Sequence, residues 1–260
     1  MLKVGIVAVG RELLTGRVRD TNSAWIAKRA TSLGGKVIRM TVVDDDPQAI
    51  AREVRRLIQE GASVVITTGG LGPTGDDRTL EGIALALNRP LRLNPQALRM
   101  VEERYRVLAD QGFVQDAEMD ESRRKMAILP EGAQPLENPV GAAPGVLLEA
   151  EAFVVSLPGV PAEMEALFEG SVLGLLRTLA PGMVYRERTV ATGVGDESRL
   201  APVLQEVMRR VPRVYCKSRA TRFGHDVSLE VILSAAALEG EVEALLDEAE
   251  EELRRRLQAV

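Results

Sequence analysis

The sequence is poor in the residues that build most zinc and nucleophile sites. Its 260 residues include one cysteine, Cys216, and one histidine, His225. These counts exclude intramolecular disulfides, Cys/His zinc sites and almost every Ser-His-Asp arrangement. Any metal that this chain binds is therefore expected to be a hard cation held by oxygen ligands, namely Mg²⁺, Mn²⁺ or K⁺.

The sequence also has few aromatic residues and no excess of positive charge. Four Phe, three Tyr and one Trp are too few for a row of base-stacking platforms, and the net charge of −5 gives no overall field that attracts nucleic acid. No apolar run reaches the length of a membrane span, and no signal peptide precedes the first predicted strand. We therefore expect a soluble, cytoplasmic protein without nucleic-acid or membrane partners.

What the sequence does have is a glycine-rich stretch, VVITTGGLGPTGDDRT, from Val64 to Thr79. The residues Val64–Thr68 are strand-like, and a helical pattern runs from Arg78 to Leu87. Between strand and helix lie four glycines: Gly69, Gly70, Gly72 and Gly75. Glycines let backbone N–H groups approach a ligand, and a helix N-terminus offers unpaired donors and partial positive charge. The stretch therefore predicts a phosphate-binding loop.

Two carboxylates, Asp76 and Asp77, follow these glycines where a P-loop would carry Lys and Ser/Thr. Carboxylates repel a phosphate unless a cation lies between them. The pair therefore predicts a phosphate or diphosphate that is bridged by a metal ion. The alternative is a plain glycine turn in which Asp77 is the N-cap of the helix.

Acidic residues also follow the first two predicted strands. The buried run Leu2–Gly10 is followed by Glu12, and the strand Val37–Val43 is followed by Asp44, Asp45 and Asp46. Ligands of open α/β sheets lie outside the carboxyl ends of the strands, so these side chains are expected near the glycine loop. The alternatives are a solvated loop residue or cap at Glu12, and helix capping with dipole complementarity for the aspartates.

Strands and helices alternate through this first part of the chain. Helices are predicted over Ala24–Leu33, with Thr21–Ser23 as a cap cluster, and from Pro47 to Glu60. The repeated β-α-β order with short connections predicts a parallel, doubly wound sheet. No G-x-G-x-x-G follows the first strand, which argues against a Rossmann dinucleotide site.

The following region contains a polar segment, a stiff loop and a second helix start. The segment Gln111–Met126 is predicted to be a mobile lid or a dimer arm. The loop Glu137–Gly145 is rich in Pro and Gly, and it is either a ligand-binding loop or a plain turn. The buried strand Ala152–Leu157 ends at Pro158-Gly159. Glu163 then lies in the first turn of a helix, either as a dipole partner or as a ligand contact.

The pattern changes after Ala180-Pro181-Gly182, which marks a boundary. Beyond it the order is β-α-β-β-α, which predicts a small α/β domain. A basic segment from Arg209 to Arg222 carries Lys217 at a strand end as a candidate phosphate contact, and the alternative is a solvated face. No GXXG loop is present, so an RNA-binding KH domain would lack its key element. We place the two domains at residues 1–178 and 184–260.

Five motifs follow one another between Gly10 and Met164: GRELLTGRVRDTNSAWIA, VVDDDP, TTGGLGPTGDD, ENPVGAAPG and SLPGVPAEM. Together they resemble the N-terminal region of the competence/damage-inducible protein A (CinA) family. That region is similar to the molybdopterin-binding domain of molybdenum-cofactor proteins, whose two recurring acidic positions match Asp45 and Asp77. The resemblance implies a three-layer α/β/α domain with a mostly parallel sheet, followed by a small α+β domain.

The resemblance also implies an activity, that of a nucleotide pyrophosphatase. Such an enzyme would hydrolyse the diphosphate of ADP-ribose, or of FAD as in some relatives, with a divalent metal and K⁺. The catalytic residues would be Asp45, Asp77 and Glu12, and the metal ligands Asp45, Asp76 and Asp77. The ligand-binding residues would be Gly69, Gly70, Gly72, Thr74, Asn22, Asn138, Gly141, Gly159 and Lys217. The alternative is a module that binds a molybdopterin-like or nucleotide ligand without hydrolysing it. The acidic residues at the strand ends favour the enzyme.

The sequence differs from the CinA family in two respects, and we also expect the protein to pair with a second copy of itself. Many members continue into a nicotinamide mononucleotide deamidase domain, whereas this chain stops at Val260, so deamidase activity is not expected. Arg11 stands where relatives usually have a small or acidic residue. The resemblance and the polar segment Gln111–Met126 lead us to expect a homodimer, in which the basic segment around Lys217 approaches the partner's site.

Overall fold

The computed structural model describes residues 1–220 and 229–258, which form two compact units. The first unit comprises Met1–Ala30 and Gly35–Leu179, and the second comprises Thr31–Gly34 and Ala180–Val260. Arg222 of the basic segment and His225 lie outside the described residues.

The first unit contains eight strands and eight α-helices. The strands are β1 (Lys3–Val9), β2 (Lys36–Val43), β3 (Val64–Thr68), β4 (Leu91–Leu93), β5 (Ile128–Pro130), β6 (Gln134–Leu136), β7 (Gly145–Glu149) and β8 (Phe153–Leu157). The helices are α1 (Arg11–Leu14), α2 (Asn22–Ser32), α3 (Pro47–Gln59), α4 (Thr79–Leu87), α5 (Pro95–Asp110), α6 (Glu121–Lys125), α7 (Pro161–Leu167) and α8 (Leu173–Leu179), and a π-helical turn, Phe168–Val172, separates the last two.

A six-stranded, mostly parallel sheet is the centre of this unit, and it confirms the predicted fold class. The strand order is β2-β1-β3-β8-β7-β6. Four neighbouring strands, from β2 to β8, run parallel, whereas β7 and β6 are antiparallel to their neighbours. A separate ribbon pairs β4 with β5. Strands β4 and β6 were not predicted from the sequence, because strands of three residues are too short to show an alternation of buried and exposed side chains.

The central strands are apolar throughout because both faces of the sheet are covered. All five residues of β3 are buried, and so are six of the seven in β1. Val7 and Val65 pack with α3 and α4 in one cluster. Ile6 and Ile66, which point to the opposite face, have no exposed surface. Strands buried on both faces are typical of parallel sheets between two helical layers.

The segment from 111 to 126, which was predicted to be a mobile lid or a dimer arm, is packed onto the first unit. Three of its side chains, Val114, Ala117 and Met119, lie against a cluster that includes Tyr105. The Arg123 guanidinium lies 4.1 Å from the centre of the Tyr105 ring, which is a cation–π contact. Apolar residues spread at irregular intervals give no helical or strand period, so the sequence concealed this packing.

The second unit has the predicted β-α-β-β-α order. Its elements are β9 (Met183–Ala191), α9 (Glu197–Arg210), β10 (Val214–Ala220), β11 (Leu229–Leu238) and α10 (Glu239–Leu257). The strands form an antiparallel sheet in the order β10-β11-β9. Leu200, Val207, Leu233, Leu246 and Leu253 are fully buried in its core. Among the described helices of the chain, none is both long and apolar enough to cross a membrane.

The described arginines of the basic segment are paired with carboxylates of the same unit. The pairs are Arg209–Glu206 at 2.7 Å, Arg210–Glu252 at 3.8 Å, Arg213–Glu241 at 3.2 Å and Arg219–Glu230 at 2.8 Å. Lys217 is exposed in β10. This pairing favours the solvated, charge-balanced face over a site for phosphate.

The contact between α3 and α4 depends on Gly82. A Cβ at this position would lie 2.6 Å from the Cβ of Ile50. We therefore expect Gly82→Ala to lower the free energy of unfolding by about 1–3 kcal/mol, because overpacking outweighs the better helix propensity of Ala. The matched control is Gly174→Ala in α8, where a Cβ meets nothing within 4 Å. That variant should be neutral or more stable by up to about 1 kcal/mol. Equal midpoints for the two variants in urea unfolding would contradict the packing argument.

Candidate functional site

A cleft of about 510 Å³ opens beyond the carboxyl ends of β1, β3 and β8. These ends lie side by side, because Ala8 pairs with Thr68 and Thr68 with Leu157. The cleft is lined by nine of the predicted site residues: Glu12, Asn22, Asp45, Gly69, Gly70, Gly72, Asp76, Asp77 and Gly159. Thr74, Asn138 and Gly141 contact lining residues. Lys217 belongs to the second unit and does not line this cleft.

The glycine loop requires glycine at two successive positions. Gly69 has φ 103° and Gly70 has φ 65°, which are left-handed conformations that other residues rarely adopt. A Cβ at Gly69 would also overlap the carbonyl oxygen of Val9, and one at Gly70 would overlap the Thr79 hydroxyl. That hydroxyl donates to the Gly69 carbonyl at 2.7 Å. The loop is therefore folded tightly between the end of β1 and the start of α4.

This loop lines the cleft with free backbone donors. The N–H groups of Gly70, Leu71 and Gly72 donate to no protein group in the part of the chain that the structure describes. All three residues line the cleft. Successive unpaired N–H groups are able to bind an anion, which is the chemistry that the sequence led us to expect at this loop.

Asp77 closes the glycine loop and does not cap α4. Its Oδ2 accepts hydrogen bonds from the backbone N–H of Thr74 at 2.9 Å and from the Thr74 hydroxyl at 2.5 Å. The N-cap position of α4 is Arg78, and no side chain caps that helix. The capping alternative is therefore wrong for Asp77. Asp76 lies beside it, and the Thr74 hydroxyl lowers the pKa of Asp76 by hydrogen bonding.

The three consecutive aspartates after β2 have three different roles. Asp44 forms a two-pronged ion pair with the Arg11 guanidinium, at 3.1 and 3.0 Å, which lowers the pKa of Asp44. Asp46 caps α3 by accepting from the N–H groups of Gln48 and Ala49. Asp45 alone lines the cleft, where its Oδ2 accepts from the Arg11 backbone N–H at 3.0 Å. Arg11 thus contacts two of the three aspartates, Asp44 through its side chain and Asp45 through its backbone N–H.

Asp45 carries a negative charge that its surroundings do not fully balance. Partial burial raises its pKa, the Arg11 N–H opposes that effect, and the charges of Glu12 and Asp44 raise the pKa further. A hard cation would relieve this repulsion, so the donor chemistry fits Mg²⁺ or Mn²⁺. The described residues contain no group of three or more His, Cys, Asp or Glu side chains arranged to hold a metal. A cation here would therefore need oxygens from a bound ligand.

Asn22 connects two strand ends at the floor of the cleft. Its Nδ2 donates to the Thr68 hydroxyl and to the Gly159 carbonyl, both at 2.9 Å. The Thr68 hydroxyl donates to the Pro158 carbonyl, so its oxygen must accept from Asn22 and the amide orientation is fixed. The Oδ1 of Asn22 is then buried without a donor. The cap cluster predicted at Thr21–Ser23 needs a correction at the start of α2, where the side chain of Asp20 accepts a hydrogen bond from the Ser23 N–H.

The sequence analysis missed several lining residues that follow the same strand ends. Arg19 lines the cleft and makes no hydrogen bond or ion pair with the described residues. Arg19 lies in the turn after α1, near the glycine loop. Its place shortly after a strand end was the sequence signal that could have identified it as a lining residue. An apolar wall was also missed, and it consists of Leu71, Tyr105, Met126, Ala142 and Ala143. Leu71, Ala142 and Ala143 lie in the two loops that were predicted as candidate ligand loops, whereas Tyr105 and Met126 are distant from both in sequence and gave no signal.

Comparison with known proteins agrees with this architecture. The family described as "Probable molybdopterin binding domain" matches residues 5–178. A protein of Aeropyrum pernix is 48% identical over 254 residues, which is 96% of this chain and 91% of that protein. A protein of Pyrobaculum calidifontis is 45% identical over 248 residues, covering 93% of this chain and 92% of its own length.

A solved structure extends the comparison to three dimensions. The crystal structure of CinA from Thermoplasma acidophilum, described as a protein of unknown function, is 37% identical with a TM-score of 0.60. The match covers 66% of this chain and 98% of that one. The chain therefore belongs to the family of probable molybdopterin-binding domains, as its resemblance to CinA predicted.

Proposed function

We propose that the cleft binds an anionic, phosphorylated heterocycle, either a molybdopterin-like compound or a nucleotide. The observation that carries this proposal is the run of free N–H groups at Gly70, Leu71 and Gly72 along the cleft. Donors of this kind bind phosphate oxygens without a charged side chain. The family match supports the same class of ligand.

The charges of the cleft suggest how the phosphate is balanced. Arg19 supplies a cationic side chain that has no partner among the described residues, and Arg is well suited to phosphate. Glu12, Asp45, Asp76 and Asp77 would repel the phosphate unless a cation lies between them. We therefore include Mg²⁺ or Mn²⁺, and K⁺, in the proposal. Mg²⁺ is commonly held by one or two carboxylates together with substrate phosphates.

The heterocycle would occupy the apolar part of the same cleft. Tyr105, Met126 and Ala143 line it, and Tyr105 and Met126 belong to one buried cluster with Leu71. A flat ring gains by transferring its faces from water onto such a wall.

A thermal-shift panel of nucleoside diphosphates, ADP-ribose, FAD and a pterin diphosphate tests the proposal, because a ligand that binds the folded state alone raises Tm. No shift with any of them in Mg²⁺ or Mn²⁺ would refute it.

A second candidate function is hydrolysis of a diphosphate such as that of ADP-ribose. The specific observation in its favour is the raised pKa of Asp45, which partial burial causes in the first place and the nearby charge of Glu12 increases. A raised pKa suits a group that accepts a proton from an attacking water. The glycine-loop N–H groups and Arg19 would hold the diphosphate. A bound divalent cation would offset phosphate charge and lower the pKa of a water. Release of AMP from ADP-ribose measures this activity.

Arg19 provides the sharpest test of phosphate binding. We expect Arg19→Ala to weaken binding of ADP about ten-fold, since a charge-assisted hydrogen bond is worth about 1.5–3 kcal/mol. The matched control is Arg17→Ala, because Arg17 lies in the same turn, is exposed and does not line the cleft. Calorimetric titration in Mg²⁺ gives both dissociation constants. Equal weakening by the two variants would indicate a general charge effect and count against the assignment.

Asp77→Asn tests the cation. An Asn Oδ1 can still accept from the Thr74 N–H, so the glycine loop should stay closed and Tm should stay near wild type. The lost charge should remove the part of ADP affinity that depends on Mg²⁺ or Mn²⁺. If the protein is a hydrolase, AMP release should also fall by about 10²–10³. The control is Asp46→Asn, which keeps the α3 cap because Asn and Asp cap equally well. Unchanged metal dependence in Asp77→Asn would exclude Asp77 from the cation site.

Asp45→Asn should stabilise the protein at neutral pH while impairing the site. The Asp45 pKa is raised in the folded state, so its ionised form costs stability at pH values above that pKa. The cost disappears as the pH falls through the raised pKa towards the ordinary value of 3.8. The variant should therefore melt above wild type at pH 7, with a difference that shrinks in acid. A variant that melts below wild type at pH 7 would show that Asp45 is already balanced.

A further inference from the structure

We propose that Glu163 selects ligands whose heterocycle presents two adjacent N–H donors. The 2-amino-4-oxopyrimidine edge of guanine or of a pterin has this pattern. The inference rests on the proposed function, because it places that heterocycle in the same cleft. It adds the residue that reads the ring and the class of ring that fits.

Glu163 is held in one position by Asn138. The Nδ2 of Asn138 donates to the Glu163 Oε2 at 2.7 Å and to the Ala143 carbonyl at 2.8 Å. The Oδ1 of Asn138 accepts from the N–H groups of Val140 and Gly141, at 3.0 and 2.9 Å. Both hydrogens and both lone pairs of the amide are used, so its orientation is fixed. The carboxylate is therefore positioned before any ligand arrives.

The loop on the other side of Glu163 is fixed as well. A Cβ at Gly141 would overlap the Glu163 carboxylate, so only glycine permits this close contact. The Arg104 guanidinium donates to the Gly141 carbonyl at 3.1 Å and to the Val140 carbonyl. These contacts prevent the loop from moving away from the carboxylate. A preorganised acceptor of this kind favours selective binding.

The carboxylate has acceptor capacity that the protein does not use. Glu163 lines the cleft and forms no ion pair with a described residue, and its Oε1 accepts no hydrogen bond from one. If Glu163 only complemented the dipole of α7, it would need neither the hydrogen bond from Asn138 nor the close contact with Gly141. The remaining acceptor sites are therefore available to donors on a ligand.

The position of Glu163 favours a ring edge as its partner. Asn138 bonds both Glu163 and the carbonyl of Ala143, so the carboxylate lies next to the apolar wall of the cleft. A ring resting on that wall would present its edge to Glu163. Two parallel N–H donors fit a carboxylate in the same fork geometry as an arginine. Guanine offers N1–H and the 2-amino group, hypoxanthine offers N1–H alone, and adenine presents an acceptor at N1.

The test compares ligands with different ring edges, of which GDP and IDP differ only by the 2-amino group. We would titrate the wild-type protein in Mg²⁺ with GDP, IDP, ADP and 6-hydroxymethylpterin diphosphate. GDP should bind about ten-fold more tightly than IDP, which lacks one donor, and ADP should bind more weakly still. A lower Kd for the pterin than for GDP would assign the ring as a pterin, and the reverse order would assign guanine.

Variants separate ligand selection from a structural role. Glu163→Gln retains an acceptor for Asn138 and should keep the loop and Tm, while the GDP:IDP ratio falls towards one. Glu165→Gln, on the same helix but outside the cleft lining, should keep the wild-type ratio. Equal binding of GDP, IDP and ADP, or a ratio unchanged in Glu163→Gln, would overturn the inference. If that overturning result is obtained while Arg19→Ala still weakens the binding of all the diphosphates, the inference on Glu163 is wrong but the proposed function stands. If no ligand binds, the proposed function falls with it.

Discussion

The close approach of Gly69 to the carbonyl of Val9 is the constraint on which the site depends. β1 and β3 are neighbouring parallel strands, so the chain leaving β3 must turn away directly above the end of β1. Only glycine fits there, and the left-handed turn that it permits continues at Gly70. The turn brings the following N–H groups along the cleft and brings Thr79 back to bond the Gly69 carbonyl. The row of free N–H groups along the cleft is thus a consequence of strand order and of two glycines.

A second constraint is the electrostatic balance at the strand ends. The protein compensates Asp44 with Arg11 and uses Asp46 as a cap, yet it leaves Asp45 partly buried beside the cleft, where burial first and repulsion by Glu12 second raise its pKa. Repulsion of this kind costs stability, and natural proteins retain such costs mainly where binding or catalysis needs them. The uncompensated pair is therefore a stronger indication of a functional site than the number of acidic residues. A cation together with a phosphate would remove the repulsion and neutralise the ligand in one step.

The sequence predicted the parallel sheet, the small second unit and the sheet edge at which the cleft opens, because burial periodicity and glycines at strand ends are local signals. It could not assign individual carboxylates. Asp44, Asp45 and Asp46 are chemically identical, and their roles differ because Asp44 pairs with Arg11 whereas Asp46 caps α3. Asn22 was predicted near a helix cap, whereas its real partner, Thr68, is distant in sequence. Asp77 was predicted either to bind a cation or to cap α4, and its contact with Thr74 rules out the cap without testing the cation. These differences come from long-range contacts that no local pattern contains.

Arg11 shows how one substitution can change the demand for a cation. Its side chain neutralises Asp44, and its backbone N–H supports Asp45. The backbone contact does not depend on the side chain, so a small residue at this position would keep the Asp45 contact and leave Asp44 unpaired. An acidic residue would shift the local charge by two units relative to Arg11. Both changes would strengthen the repulsion around Asp45 and with it the attraction for a cation. Arg11 therefore gives the edge of this cleft a lower negative charge than a small or acidic residue would, while the carboxylates that line the cleft stay in place.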